Sequence, residues 1–398
     1  MATQHRSDWT RRQFVRTAGA AAFVGSSAAA VAQQSRPSSG PVPLAPPDDQ
    51  PDDLKLPDPD RPRAGYAIMG LGVLALEEVL PGFADAKMSM PTALVSGHRD
   101  KALKVAREYG IPESSVYDYD TYDRIADNDA VDIVYNILPN HLHEEFTIRG
   151  LEAGKAVLCE KPMAPTLEAC ERMIDASEKA GKQLMIAYRL HYEPHNLRVA
   201  EMCRNQEFGP VRTFYATNSQ TTTAPNIRLS NETAGGPVGD VGVYCINAAR
   251  YVIGEEPVEL SAFAHRPDDP NFREVPASVT WNARYPGGVL SHCGCSFDSG
   301  RSDQFRVNCD QGFIEMGPAF SYRGLKLHTH VSDESGYGET RQISYRQKSQ
   351  FASEVDHFSD CILNDKPNRT PGPMGLADMR IVLAIHESMN NGGRVVKL

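Results

Sequence analysis

The chain has 398 residues, of which 41% are hydrophobic and 23% charged, with a formal net charge of −10. That length suits two ordinary domains, and the composition is that of a soluble globular protein. An acidic chain with no basic stripe beyond its first residues excludes a nucleic-acid-binding role on electrostatic grounds.

The first element is Thr10-Arg11-Arg12-Gln13-Phe14-Val15, followed by an alanine-rich apolar run over 18–31. A twin arginine ahead of such a run reads as a leader for the twin-arginine export machinery, which carries folded proteins. Ala30-Val31-Ala32 is a small-x-small cleavage pattern, so residues 1–32 are expected to be removed and the mature chain to begin near Gln33. The run is too short and too rich in Ala, Gly and Ser for a stable span, so the mature protein is expected in the periplasm without a membrane anchor. Residues 33–62 hold nine prolines with aspartates between them. Such a segment favours extended conformations and reads as a flexible spacer or as an arm lying on another surface.

From Ala64 the pattern alternates. Strands are predicted over 66–69, 91–96, 133–138, 156–159 and 183–187, and helices over 74–80, 101–109, 119–126, 142–153 and 167–180. Short apolar strands alternating with amphipathic helices predict an α/β fold with a doubly wound parallel sheet, its ligand edge at the strand C-termini. After Gly209 the texture changes. Segments 211–217, 258–265, 277–285, 288–295, 304–308 and 312–316 predict a large, mostly antiparallel sheet. Helices over 236–253, 351–364 and 374–391 complete an α+β domain, the last of them free to pack back on the first domain. The expected boundaries are 63–188 for the nucleotide domain and 189–398 for the substrate and oligomerisation domain.

The eight cysteines lack the paired spacing of a zinc site or a redox motif, so they read as mostly buried structural thiols. The histidines lack ligand spacing as well, and no metal is expected.

Four places carry chemistry. Gly70-Leu71-Gly72-Val73-Leu74-Ala75 follows the first strand. Gly70 permits a tight turn, Gly72 lets the backbone approach a pyrophosphate, and the helix opening at Val73 and Leu74 offers N–H donors. The second strand ends in Ser96-Gly97-His98-Arg99-Asp100-Lys101, where an NAD site normally places an acid for the ribose. A hydroxyl with two nearby cations suits the 2′-phosphate of NADP better. Glu160-Lys161-Pro162 follows the strand at 156–159, and a lysine there can hold a substrate hydroxyl and assist an acid/base group. Asp240 and Tyr244 are four apart on a predicted helix and share a face; taken alone, this pair reads as a cap above a core tyrosine. Beside these, Arg189, His191 and Tyr192 form a segment dense in hydrogen-bonding groups, as polyol recognition requires. Asn140 and His143 occupy another strand end, where a single histidine is more often structural.

These residues, with Leu138-Pro139-Asn140-His141-Leu142-His143 and Asp240-Val241-Gly242-Val243-Tyr244, resemble the family of glucose–fructose oxidoreductase and inositol dehydrogenase (Gfo/Idh/MocA). The likeness runs from Ala64 to Leu398 and is strongest to its periplasmic sugar–sugar branch, which includes glucose–fructose and aldose–aldose oxidoreductases. The resemblance implies a Rossmann domain with tightly bound NADP. It places Ser96 and Lys101 at the 2′-phosphate, with Gly97 among the cofactor-binding residues. It has Tyr119, Leu138, Pro139, Asn140, His143 and Glu160 lining the cofactor, with Arg189, Arg228 and Tyr322. Lys161, Asp240 and Tyr244 would form the reaction centre, and tyrosine rather than histidine at 244 marks the sugar-disproportionating branch. The implied activity oxidises an aldose at C1 to an aldonolactone and reduces a second sugar to an alditol, in a homo-oligomer, dimer or tetramer. Two other readings compete: an exported, NAD-dependent redox-assisted glycosidase, and a non-catalytic sugar or cofactor sensor.

Overall fold

The computed structural model describes residues 62–332, 335 and 337–398. The export leader and all but the last residue of the proline-rich arm lie outside the described residues.

The first sheet is parallel and has six strands: β1 (Ala64–Met69), β2 (Ser89–Val95), β3 (Val116–Tyr117), β4 (Ile133–Asn136), β5 (Ala156–Cys159) and β6 (Leu184–Ile186). Their order is β3-β2-β1-β4-β5-β6, so the chain reverses direction across the sheet between β1 and β4. A crevice at such a switch point is where open α/β sheets bind ligands. β1 reads as an unbroken apolar run because both of its faces are covered: Ala67 and Met69 join one core, Tyr66 and Ile68 the other. Helices α2 (Arg99–Tyr109), α3 (His143–Glu152) and α4 (Leu167–Ala180) connect the strands. Gly110 and Gly181 end α2 and α4 in the left-handed conformation, as C-terminal glycines do.

Two predicted helices differ. Residues 119–126 form no α-helix; a 3-10 turn covers Tyr122–Asp127. Asp118 Oδ1 accepts from the Thr121 backbone N–H (2.7 Å) and hydroxyl (2.6 Å), a local turn that competes with the first helical turn. The helix after the glycine turn, α1, begins as a wide π-type turn (Ala75–Val79) and continues over Leu80–Gly82.

The second sheet has nine strands: β7 (Val211–Ser219), β8 (Glu259–His265), β9 (Ser278–Arg284), β10 (Leu290–Ser296), β11 (Ser302–Cys309), β12 (Gly312–Met316), β13 (Leu327–Ser332), β14 (Gly338–Ile343) and β15 (Val396–Lys397). Every pairing is antiparallel except β7 with β10. Strands β3, β13, β14 and β15 were not predicted from the sequence. Neither was α5 (Pro194–Arg204), although Pro194 at its first position and the capping Glu193 carboxylate, which accepts from Asn196 N–H, announce it. Helices α6 (Val243–Ile253) and α8 (Gly372–Asn390) cover one sheet face, while Tyr215, Phe263 and Leu290 are exposed on the other. All eight cysteines are free thiols, seven of them buried.

Late in the chain, α7 (Gln350–Leu363) returns to the first sheet. Its Asp356 carboxylate accepts from the backbone N–H groups of Lys87 (2.7 Å) and Met88 (2.8 Å) and from the Ser89 hydroxyl (3.0 Å). The Tyr66 hydroxyl donates to the Val355 carbonyl (2.8 Å). Hydrogen bonds to a charged acceptor contribute more than neutral ones. Asp356→Ala is therefore expected to lower unfolding stability by about 1.5–3 kcal/mol, read as a shift in the denaturant midpoint.

Candidate active site

A cleft of about 750 Å³ runs along the C-terminal edge of the parallel sheet and is closed by loops of the second sheet. Ligand clefts span roughly 300–1,000 Å³. Each strand end contributes. β1 supplies Gly70 to Leu74, β2 supplies Ser96, β4 supplies Leu138 to Asn140, β5 supplies Glu160 and Lys161, and the turn after β6 supplies Arg189.

Gly70 has φ of +91°, and a Cβ there would meet the Ile137 carbonyl oxygen at 2.9 Å. The turn thus requires glycine for local reasons alone. Gly72 differs: a Cβ on it would meet nothing within 4 Å. Its lack of a side chain answers no need within the protein, and this is the fit expected where a pyrophosphate passes over the backbone. Lys101 donates from Nζ to the Leu71 carbonyl (2.8 Å), bringing its charge to the same turn. Ser96 is buried, and its hydroxyl accepts from the His98 N–H (3.2 Å). His98 lines the cleft, whereas Arg99 turns away and donates to the Val116 carbonyl (3.3 Å). The two cations near Ser96 are thus reduced to Lys101, with a histidine beside it. Gly97 does not line the cleft; a Cβ there would press on the Tyr119 ring at 3.1 Å, so glycine lets that ring sit at the rim.

His143 borders the cleft with its two ring nitrogens near carbonyl oxygens, Pro162 at 2.9 Å and Leu138 at 2.8 Å, and the neutral ring donates its single N–H to one of them. Burial pushes its pKa down. It pins the β4 and β5 strand ends together. Asn140 donates to the Ala234 carbonyl (3.0 Å), tying the first sheet's edge to the 224–237 loop.

The far end of the cleft brings Lys161, Asp240 and Tyr244 together. Lys161 donates from Nζ to the Asp240 backbone carbonyl at 2.7 Å, and the same nitrogen lies 3.7 Å from Asp240 Oδ1. It stands over the Tyr244 ring, 4.6 Å from its centroid. The Arg189 guanidinium lies 4.9 Å from that centroid and 4.5 Å from that of Tyr322. Arg189 is buried and donates to Gln350 Oε1 and to the Phe320 carbonyl. Arg228 donates from Nε to Asp240 Oδ2 at 2.7 Å, so Asp240 is held between two cations. Asp240 lies on a π-type turn (Val238–Gly242) that runs into α6, and both Asp240 and Tyr244 face the cleft.

His191 and Tyr192 do not reach the cleft, contrary to the reading that placed them at the substrate. They follow Arg189 in a 3-10 turn (Arg189–Tyr192), whose three-residue period sends successive side chains to different sides. His191 Nε2 meets Asn247 Oδ1 at 2.7 Å, and burial pushes the imidazole down to about 4. The Tyr192 hydroxyl lies 3.0 Å from that of Thr370. The sequence reading missed the second sheet's share of the site: Asn218, Ser219 and Gln220 at the end of β7, Arg301 and Asp303 at β11, and Phe320 and Ser321 beside Tyr322. Asp303 organises that last loop, its Oδ1 accepting from the Ala319 N–H at 2.8 Å and its other oxygen from the Ser321 hydroxyl.

Residues 64–188 match the oxidoreductase family with an NAD-binding Rossmann fold, and residues 196–315 match the GFO/IDH/MocA C-terminal domain. The structure is similar to an aldose–aldose oxidoreductase from Caulobacter crescentus solved with glycerol. The TM-score is 0.80 at 40% identity, over 84% of this chain and 100% of that one. A D-xylose 1-dehydrogenase [NADP(+)] from Haloarcula marismortui is 29% identical over 81% of this chain and 90% of its own. A dTDP-3,4-didehydro-2,6-dideoxy-alpha-D-glucose 3-reductase from Actinomadura kijaniata is 30% identical over 80% and 93%. The chain belongs to the Gfo/Idh/MocA oxidoreductase family, and its first domain is the family's NAD(P)-binding Rossmann domain.

Gly72→Ala separates a ligand role from a structural one. With open space around the new methyl, the thermal midpoint is expected to stay unchanged while nicotinamide dinucleotide binding weakens about tenfold, roughly 1.4 kcal/mol. Calorimetry and a binding titration read the two effects apart.

Proposed function

We propose that this protein is a sugar oxidoreductase with tightly held NADP, oxidising an aldose at C1 to an aldonolactone and reducing a second sugar to an alditol. The observation that carries the reading is the phenol of Tyr244 bracketed by Lys161 and Arg189 at one end of a dinucleotide-sized cleft. The sugar chemistry of the relatives named above, the Caulobacter aldose–aldose oxidoreductase first, supports it.

A nicotinamide dinucleotide held at the Gly70–Gly72 turn, Ser96 and Lys101 would supply the hydride acceptor for one sugar and the hydride donor for the next. The protein's own part is the proton and the charge. Tyr244 takes the proton of the anomeric hydroxyl in the first half-reaction and gives it to the acceptor's carbonyl oxygen in the second. Lys161 spends one ammonium N–H on the Asp240 carbonyl, which leaves two donors for sugar hydroxyls. With Arg189, it supplies fixed positive charge where negative charge develops on the reacting oxygen. Asp240 keeps Lys161 in place and neutralises part of this cationic cluster. Arg228, Gln220 and Asn218 line the cleft beside Asp240, suited to the remaining hydroxyls of either sugar.

The NADP preference rests on Ser96 and on Lys101 beside the glycine turn. The twin-arginine leader supports export of the folded, loaded protein to the periplasm. Outside the cytoplasm a cofactor is best recycled in place, which favours a second sugar as acceptor. The exposed face of the nine-stranded sheet supports homo-oligomer formation.

The direct test follows reduced-nicotinamide absorbance of the purified protein. An aldose is expected to raise the band and a second sugar to bleach it; no change with any sugar would overturn the reading. Tyr244→Phe is expected to slow both half-reactions by roughly 10²–10⁴-fold with the cofactor still bound. Ser96→Asp combined with Lys101→Glu is expected to shift preference from NADP to NAD, measured as the ratio of the two dissociation constants.

A further inference from the structure

The loop between β12 and β13 brings Tyr322 to the cleft, and its backbone is fixed there by bonds that leave the next residue unused. Its neck is closed by the Gly317 N–H, which donates to the Lys326 carbonyl (3.2 Å), and by the Lys326 N–H, which donates to the Pro318 carbonyl (3.3 Å). Three successive carbonyls are then taken by buried donors. Arg189 donates to the carbonyl of Phe320, and the Gln350 side-chain amide donates to those of Ser321 (3.0 Å) and Tyr322 (3.1 Å). Residues 320–322 are therefore held without help from their neighbour Arg323.

Arg323 nonetheless makes a two-pronged contact. Its guanidinium donates to both carboxylate oxygens of Glu78 on α1, at 3.1 Å and 3.4 Å. On the wide turn that opens α1, residues four and five apart share a face, so Glu78 stands beside Leu74 and Val73, which line the cleft. Val73 is 71% exposed, so the cleft meets solvent at this end of the helix. The ion pair thus ties a loop of the second sheet to the helix that follows the glycine turn, where the cleft opens. Neither Arg323 nor Glu78 is among the residues lining the cleft. The Arg323 side chain is 67% exposed, and ion pairs of this kind add little to stability. A bridge on a loop already fixed answers a need other than folding.

We propose that Arg323 and Glu78 form a side-chain gate that governs exchange of the dinucleotide without touching it. This inference rests on dinucleotide binding in the cleft, and not on which sugar is used. With the pair formed, a ligand lying between the glycine turn and Tyr322 is barred at the solvent end of α1. Because the 320–322 backbone is fixed, opening requires only that two side chains part, with no loop displaced. A gate that makes no contact with the ligand has no preference between the empty and the filled cleft. It can shift no binding equilibrium, and it slows entry and exit by the same factor. Affinity is then left to the glycine turn, Ser96 and Lys101, and the time a cofactor stays is set in part elsewhere.

The test follows NADPH fluorescence, first as the nucleotide binds to nucleotide-free protein and then as excess NADP chases it from loaded protein. Arg323→Gln and Glu78→Gln are each expected to raise the association and dissociation rates together, by about two- to fivefold, the range of an exposed ion pair. The dissociation constant and the thermal midpoint are expected to stay at the wild-type values. Reversing the pair, with Glu78→Arg and Arg323→Glu in one chain, is expected to restore slow exchange. Unchanged rates in both single variants overturn the proposal. So does a faster dissociation with unchanged association, which would mark a contact with the ligand, or a reversed pair that exchanges as fast as the single variants. No sugar enters the experiment, so lack of turnover with every sugar would sink the substrate reading and leave this one standing. A protein that binds NADH in place of NADPH would sink the cofactor preference, and NADH then decides the gate by the same rates. Failure to bind either nucleotide would overturn both readings.

Discussion

The ammonium group of Lys161 joins the two halves of the cleft. Its backbone stands at the end of β5, where the parallel sheet delivers it, and its side chain donates to the carbonyl of Asp240, on the turn leading into α6. The same charge lies over Tyr244 and within reach of the Asp240 carboxylate. Remove it, and the cluster loses the cation that fixes the phenol's surroundings and one of the two cations that neutralise Asp240. The remaining one, Arg228, comes from the half-exposed 224–237 loop and cannot do the same from the sheet side.

Around that link, the charges are arranged in depth. Arg228 holds Asp240, Lys161 and Arg189 flank the phenol of Tyr244, and Glu160 stands at the cleft wall. Buried charges persist where they are paired and hydrogen-bonded. Arg189 is hydrogen-bonded by the Gln350 side chain and the Phe320 carbonyl, which also fixes where the 320–322 loop sits, while its Nε has no hydrogen-bond partner. Tyr322 is placed by its ring contact with the Arg189 guanidinium and by Phe351 beneath it. The cleft is therefore built from interactions that cross between the sheets more than from either sheet alone.

This explains what could be read in the sequence. Gly70, Gly72, Ser96, Glu160 and Lys161 follow predicted strands directly, so strand position alone brings them to the ligand edge. Asp240 and Tyr244 share a helix face by spacing, but only the family resemblance marks them as reaction-centre residues, and the turn that carries Asp240 is wider than an α-helix. Asn218 and Asp303 escaped notice because their meeting depends on register: β11 pairs with β7 so that Asp303 lies opposite Asn218, residues far apart in the chain. Tertiary pairing of this kind leaves no local mark. His191 and Tyr192 misled for the opposite reason, since a polar run beside the ligand edge looked functional while a tight turn rotated it into the core. Glu354 falls within the helix predicted over 351–364, and only the packing of α7 on the first sheet seals it from water.

The return of α7 has a mechanical consequence. The chain leaves the parallel sheet after β6, builds β7 to β14, comes back as α7, and ends with β15 on the edge of the second sheet. The two sheets are thus laced together by several passes of one thread rather than joined at a single swivel. Such lacing resists wide opening of the halves, which directs substrate traffic to the loops at the cleft mouth. It also means that one cut in the exposed stretch before α7 would leave both fragments held by the Asp356 contacts and the shared core, so a nicked molecule would keep its shape.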